Sequence, residues 1–221
     1  MIFDGLTRLR GLTSNWREVD LGAERLFGPL STYLALPVHT IYTVPPAILP
    51  GFAEPVRVLP MIAVRDREGR PHAAGLAAAR EMVRRRVPDA ALDEMFGAAE
   101  REARGHALIE ATGGVPRDLL GLLRGFVSRE STDAFAFGRD VSLGLEVYRR
   151  LLWQSDRGWL GRVHAARSLV TAPGDEAAAA RALANGAVVP YDGEAPWWDL
   201  HPAVLAVLEE AGASVPSRGG A

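Results

Sequence analysis

The sequence predicts an α/β amino-terminal part with a partial parallel sheet, followed by a mostly α-helical remainder. Residues 1–4 read as the end of a buried strand, and 16–34 have the apolar spacing of a helix. Two runs of β-branched and aromatic residues follow, at 38–44 and 56–64. Their near-continuous apolar character is typical of strands covered on both faces of an α/β sheet.

Prolines set the limits of these first elements. Pro37 ends the predicted helix, and Pro45 stops the strand that precedes it, because proline cannot donate to a strand ladder. Pro60 lies inside the run 56–64, so we expect an edge position or a bulge there.

The chain from residue 75 onward is predicted to be mostly helical. Residues 75–87 and 90–111 are rich in Ala, Glu, Arg and Leu, which favour helices. The second helix should end at Gly113 and Gly114, where glycine supplies a left-handed cap. Pro116 suits the first turn of the next helix.

The last third of the chain has the order helix, hairpin, helix, which is typical of a winged-helix-like module. We expect helices at about 140–153 and 158–169, and an alanine-rich helix that follows Gly174-Asp175 and ends at Ala184. A hairpin of 187–191 with 197–200 and a final helix over 202–211 should come next.

Two residue types are absent from the 221 residues, and both absences exclude chemistry. Without cysteine there is no disulfide, thiolate zinc site or cysteine nucleophile. Without lysine there is no phosphate-binding loop of the form G-x-x-x-x-G-K-[ST] and no Schiff base.

The net charge of -2 gives no overall attraction to nucleic acid or membranes. No signal-peptide or membrane-spanning pattern occurs, so we expect a cytoplasmic protein.

Five segments resemble, in order, the carboxy-terminal half of bacterial AAA-like P-loop ATPases. They are MIFDGLTRLR (1–10), HTIYTVP (39–45), RVLPMIAV (57–64), TGGVPRDLLGLL (112–123) and NGAVVPYDGEAPWWDLHP (185–202). The resemblance implies a P-loop-type parallel sheet with flanking helices, a helical lid and a winged-helix-like end. It divides the chain into a partial α/β ATPase core without a P-loop (1–88), the lid (89–135) and the helical, winged-helix-like domain (136–221).

The resemblance also implies a nucleotide site for ATP and Mg²⁺. Asp4 would be the Walker B carboxylate that holds Mg²⁺ through water, and Thr43 a polar sensor near the γ-phosphate. Gly5 stands where the family commonly has an acid, so we expect no ATP hydrolysis by the isolated chain. The alternatives are that Asp4 only ends a strand and that Thr43 is only a good β-former.

Arg117 is singled out by the resemblance and, independently, by its position. In such ATPases the arginine of the Gly-Gly-x-Pro-Arg turn contacts the nucleotide phosphates, a role that suits a planar guanidinium. The helix dipole disfavours a cation on a first helical turn, so Arg117 is not placed for local stability. The alternative is an ordinary ion pair with Asp118 or a nearby glutamate.

The predicted function is the sensor, lid and winged-helix portion of an AAA-like ATPase. It would respond to nucleotide only with a P-loop half supplied elsewhere, and it could self-associate or bind protein partners through its carboxy-terminal domain. The alternatives are a non-enzymatic interaction adaptor and a DNA-binding winged-helix regulator. DNA is disfavoured because 170–221 carries seven acidic and two basic side chains.

Overall fold

Helices dominate the computed structural model, which describes residues 2–3, 16–27, 37–39, 41–44, 46–51, 56–127, 134–169, 171–193 and 196–212. The nine α-helices of these ranges are α1 (Trp16–Phe27), α2 (Ala73–Arg84), α3 (Asp89–Phe96), α4 (Arg101–Ala111), α5 (Pro116–Val127), α6 (Ala134–Leu151), α7 (Arg157–Ala166), α8 (Glu176–Ala184) and α9 (Pro202–Glu210). The strands are β1 (Ile2–Phe3), β2 (Ile41–Tyr42), β3 (Val188–Tyr191) and β4 (Trp197–Leu200). Short 3₁₀ helices occupy Pro46–Gly51 and Gln154–Asp156.

The predicted α/β fold with a partial P-loop-type parallel sheet is wrong for the residues that the structure describes, which are mostly helical. β1 and β2 do run parallel, with Ile2 opposite Ile41 and Phe3 opposite Tyr42, but the pairing is only two residues long. Within the described ranges no third strand joins it. The pair is therefore a local contact between two segments rather than a sheet that organises a core.

The segment 56–64, predicted as a buried strand, is extended but bonds elsewhere. The backbone N–H of Met61 donates to the carbonyl of Pro190 at 2.8 Å, and that of Ile62 donates to the carbonyl of Gly114 at 3.2 Å. The segment therefore lies against β3 and the turn between α4 and α5, and not beside β2.

Burial explains why this apolar run is not a strand of a sheet. Leu59 is 74% exposed, and Val64 is the only residue of the run that is buried. Pro60 has no N–H to donate to a neighbouring strand. Because only one end of the run is buried, the backbone of the rest can bond to water and does not need a neighbouring strand on both sides.

The predicted helices and the hairpin are largely confirmed. The helix predicted over 90–111 is divided into α3 and α4 at Gly97, where φ is +79°. The helix predicted over 16–34 is observed as α1, and 28–34 lie outside the described residues. β3 and β4 pair antiparallel with Val188 opposite Leu200, as expected for the hairpin.

One apolar core runs through the helices from α2 to α9. Phe96, Phe126 and Phe137 join α3, α5 and α6, with the rings of Phe96 and Phe126 edge to face at 5.5 Å between centroids. Val204 and Leu208 of α9 are fully buried against the same core. The carboxy-terminal helix is thus part of the core that also holds α5.

Gly114 tests how tightly the turn before α5 is held. Its φ is +74°, and an added Cβ would lie 1.9 Å from the carbonyl oxygen of Ile62. We expect Gly114→Ala to lower the free energy of unfolding by at least about 2 kcal/mol, from backbone strain and overpacking. Chemical denaturation measures this.

The matched control is Gly121→Ala in α5, where an added Cβ meets nothing within 4 Å. Alanine there should raise the stability by about 0.5 to 1 kcal/mol, because alanine is the better helix former. Equal stabilities for the two variants would show that the turn at Gly114 is not tightly packed against Ile62.

Candidate functional site

The turn that precedes α5 is anchored from three sides. The buried hydroxyl of Thr112 donates to carbonyls of the last turn of α4, at 3.1 and 3.0 Å. The hydroxyl of Tyr191, at the end of β3, donates to the carbonyl of Gly113 at 2.8 Å. The N–H of Ile62 donates to the carbonyl of Gly114 at 3.2 Å. The start of α5 is therefore fixed to α4, to the hairpin and to the extended segment.

Arg117 lies on the first turn of α5, and its side chain is exposed. No hydrogen bond or ion pair joins its guanidinium to another residue in the described part of the chain, and it acts on neighbouring Asp118 through its charge alone. The predicted alternative of an ion pair with Asp118 is therefore not formed. An exposed arginine on the first turn of a helix, paired with none of the described residues, is suited to bind an anion.

A cleft of about 450 Å³ opens between α5 and α6 beside Arg117. Gly121 and Gly125 follow Arg117 at four-residue steps along α5 and line the cleft. Since a Cβ at either glycine would meet nothing within 4 Å, this wall is left open. Leu143 and Gly144 of α6 line the other side. The volume is in the range that small-molecule ligands occupy.

Asp118 connects the start of α5 to α6 and α9. Its Oδ2 accepts a hydrogen bond from the hydroxyl of Tyr148 at 2.6 Å. The Nε2 of His201 lies 3.2 Å from the same oxygen, although the ring N–H is not aligned for a full hydrogen bond. The rings of Tyr148 and His201 stack at 4.1 Å between centroids.

The electrostatics of Asp118 follow from these neighbours. Burial disfavours its ionised form, but the contacts with His201 and Tyr148 and the charge of Arg117 outweigh it and lower the pKa of the carboxyl below its ordinary value. Asp118 is therefore held as a carboxylate next to Arg117.

A second buried polar cluster joins α7 to β4. The Nδ1 of His164 lies 2.6 Å from Oδ1 of Asp199, and Arg167 forms an ion pair with the same carboxylate. Arg167 is left-handed with φ of +55°, and its carbonyl accepts from the N–H of Trp198 at 3.1 Å. Burial, with the nearby charge of Asp199, raises the pKa of Tyr191. These side chains hold the hairpin against the helices.

The three predicted site residues have different outcomes. Arg117 lies at a helix start as predicted. Thr43 directly follows β2 and is partly buried, and no hydrogen bond or ion pair joins it to Arg117. Asp4 lies outside the described residues. The residues that immediately precede Asp4 and Thr43 do pair, because Phe3 is opposite Tyr42.

The residues that the sequence analysis missed are Tyr148, Tyr191 and His201. They lie far from Arg117 in the chain, and no spacing in the sequence connects them to it. The one local signal was His201-Pro202, since histidine before proline can cap a helix start, and His201 does accept a hydrogen bond from the N–H of Ala203 at 3.2 Å.

Neither a metal centre nor a membrane-spanning helix is found among the described residues. No group of three or more histidine, aspartate or glutamate side chains there could hold a metal ion. None of the helices described is long and apolar enough to cross a membrane. Comparison with protein-family models, with curated proteins and with solved structures finds no match to this chain.

The lowered pKa of Asp118 predicts a pH dependence of stability. A carboxyl whose pKa is lower in the folded state adds stability that is complete above its unfolded pKa, about 4, and is lost as the pH falls through the folded value. We expect Asp118→Asn to be less stable than the wild type at neutral pH, with the difference shrinking below about pH 4. Urea denaturation across this range measures the difference.

Asp89→Asn, at an exposed carboxyl on the first turn of α3, is the control. A difference that stays constant down to about pH 3 would contradict the stabilising role of the carboxylate.

Proposed function

We propose that this chain is the sensor and lid portion of an AAA-like ATPase, which responds to nucleotide together with a P-loop half supplied elsewhere and is not catalytic alone. The observation that carries the proposal is the exposed guanidinium of Arg117, which makes no ion pair with another described residue. It lies on a helix start whose preceding turn is held by the hydroxyl of Tyr191 and the N–H of Ile62.

The chemistry of this position suits a nucleotide phosphate. A planar guanidinium can donate two parallel hydrogen bonds to phosphate oxygens, and the first N–H groups of a helix favour negative charge. An anchored turn reduces the conformational freedom that such an arginine would lose on binding. The cleft between α5 and α6 gives a ligand room beside Arg117.

The short pairing of β1 with β2 supports a second part of the proposal. Its register brings Phe3 opposite Tyr42, directly before Asp4 and Thr43. In the proposed function, Asp4 is the carboxylate on the Mg²⁺ side of ATP, and Thr43 is the polar sensor of the γ-phosphate. Both contacts would need the partner's P-loop, since this chain has no lysine.

The first expected outcome is that the purified chain hydrolyses no ATP. It has no lysine for the β- and γ-phosphates, and Gly5 stands where an acid would orient the attacking water. Phosphate release from ATP and Mg²⁺ is the measurement, with Asp4→Asn as the control for contaminating activity. Turnover that Asp4→Asn abolishes would show that the chain is an enzyme by itself.

The second expected outcome concerns Arg117 in the presence of the P-loop half. If the reading frame upstream of Met1 encodes G-x-x-x-x-G-K-[ST], its product is co-expressed with this chain, and ATP and ADP affinities are measured by calorimetry. We expect Arg117→Ala to weaken ATP binding by roughly tenfold, and ADP binding less, because a charge-assisted bond to phosphate is lost. Thermal stability should change little.

The control is Arg124→Ala, an exposed arginine in the last turn of the same helix, which should leave both affinities unchanged. Unchanged ATP affinity in Arg117→Ala would overturn the sensor role. That result would favour the interaction adaptor, for which the exposed apolar side chains of Val127, Leu143 and Val147 are the supporting observation.

A further inference from the structure

The ring of His201 is fully buried, and its two nitrogens face different partners. Nδ1 accepts a hydrogen bond from the N–H of Ala203 at 3.2 Å and so caps the start of α9. A nitrogen that accepts cannot carry the proton, so the neutral ring has its proton on Nε2. That nitrogen lies 3.2 Å from Oδ2 of Asp118, whose charge attracts the N–H although the N–H is not aligned for a full hydrogen bond.

The carboxylate of Asp118 favours this tautomer and disfavours the other. With the proton on Nδ1, the ring N–H would oppose the N–H of Ala203, and the lone pair of Nε2 would oppose the carboxylate. Tyr148 keeps the carboxylate in place, since its hydroxyl donates to Oδ2 at 2.6 Å and its ring stacks on His201.

We propose that Asp118 is a positioning residue that couples the first turn of α5, which carries Arg117, to the start of α9 by holding His201 in the tautomer that caps this helix. The linkage itself is a property of the chain. Only its use by a phosphate bound at Arg117 rests on the proposed function. The sensor arginine would then act on the carboxy-terminal helix through Asp118.

The test is carried out on the full chain without nucleotide. In mildly alkaline buffer, ¹⁵N spectra of the histidine rings report which nitrogen carries the proton, and hydrogen exchange reports the protection of the Ala203 amide. In Asp118→Asn we expect the proton of His201 to redistribute toward Nδ1. Exchange of the Ala203 amide should become at least about fivefold faster, as for the loss of a helix cap. Asp89→Asn, in the first turn of α3, should change neither measurement.

A purely structural role for Asp118 would lower global stability, and with it the protection of the Ala203 amide, without moving the tautomer. Unchanged ring spectra in a folded Asp118→Asn would therefore overturn the coupling, whether or not the exchange becomes faster. Should Asp118→Asn not fold, the decision rests on the wild-type ring spectra and on Tyr148→Phe, which keeps the carboxylate but removes the other donor to Oδ2. We expect the proton of His201 on Nε2 in both chains, with the Nε2 signal shifted in Tyr148→Phe because the carboxylate becomes the stronger acceptor. A proton on Nδ1 in the wild type, or an Nε2 signal that Tyr148→Phe leaves unchanged, would overturn the coupling.

Failure of the coupling through Asp118 and failure of the proposed nucleotide role give different results. If the tautomer shifts as expected but Arg117→Ala leaves ATP affinity unchanged, the linkage stands and the nucleotide role falls. If ATP affinity drops but the tautomer is insensitive to Asp118, the nucleotide role stands and the linkage falls.

Discussion

The hydrogen bond from the hydroxyl of Tyr191 to the carbonyl of Gly113 is the contact on which the arrangement of this protein depends. It joins the end of β3 to the turn before α5, and an added Cβ at Gly113 would lie 3.0 Å from that hydroxyl and 2.6 Å from Cδ of Pro202. The turn, the hairpin and the start of α9 therefore meet with no spare room. A buried hydroxyl without a partner would be costly, so this bond also limits how far the hairpin can move from α5.

Buried polar groups fix the relative positions of helices and strands that apolar contacts alone would not fix. Asp118 joins α5, α6 and α9, and Asp199 joins β4 to α7. Apolar contacts have little directional preference, whereas each of these carboxylates accepts contacts from fixed directions. The two clusters thus set the orientation of helices that the core holds together, at the cost of desolvating charged groups.

The helical part of the fold could be predicted from sequence because its signals are local. Apolar periodicity, Gly113, Gly114 and Pro116 placed α5 correctly, and the turn residues between 191 and 197 located the hairpin. The prediction for the run 56–64 is wrong because β-branched residues favour an extended backbone without specifying its partner, and here the partners are the carbonyls of Pro190 and Gly114. The site was predictable only at Arg117, since the contacts of Asp118 with Tyr148 and His201 join distant parts of the chain and leave no periodic trace.

The bond from the N–H of Met61 to the carbonyl of Pro190 also bears on how the chain is made. A ribosome that adds about 5 to 20 residues per second needs on the order of ten seconds to proceed from one of these residues to the other. The turn before α5, which binds Ile62, is made well before that interval ends, but the carbonyl of Pro190 is made only at its end. A nascent chain of this protein therefore cannot complete the contact between the extended segment and β3 until the hairpin has been made.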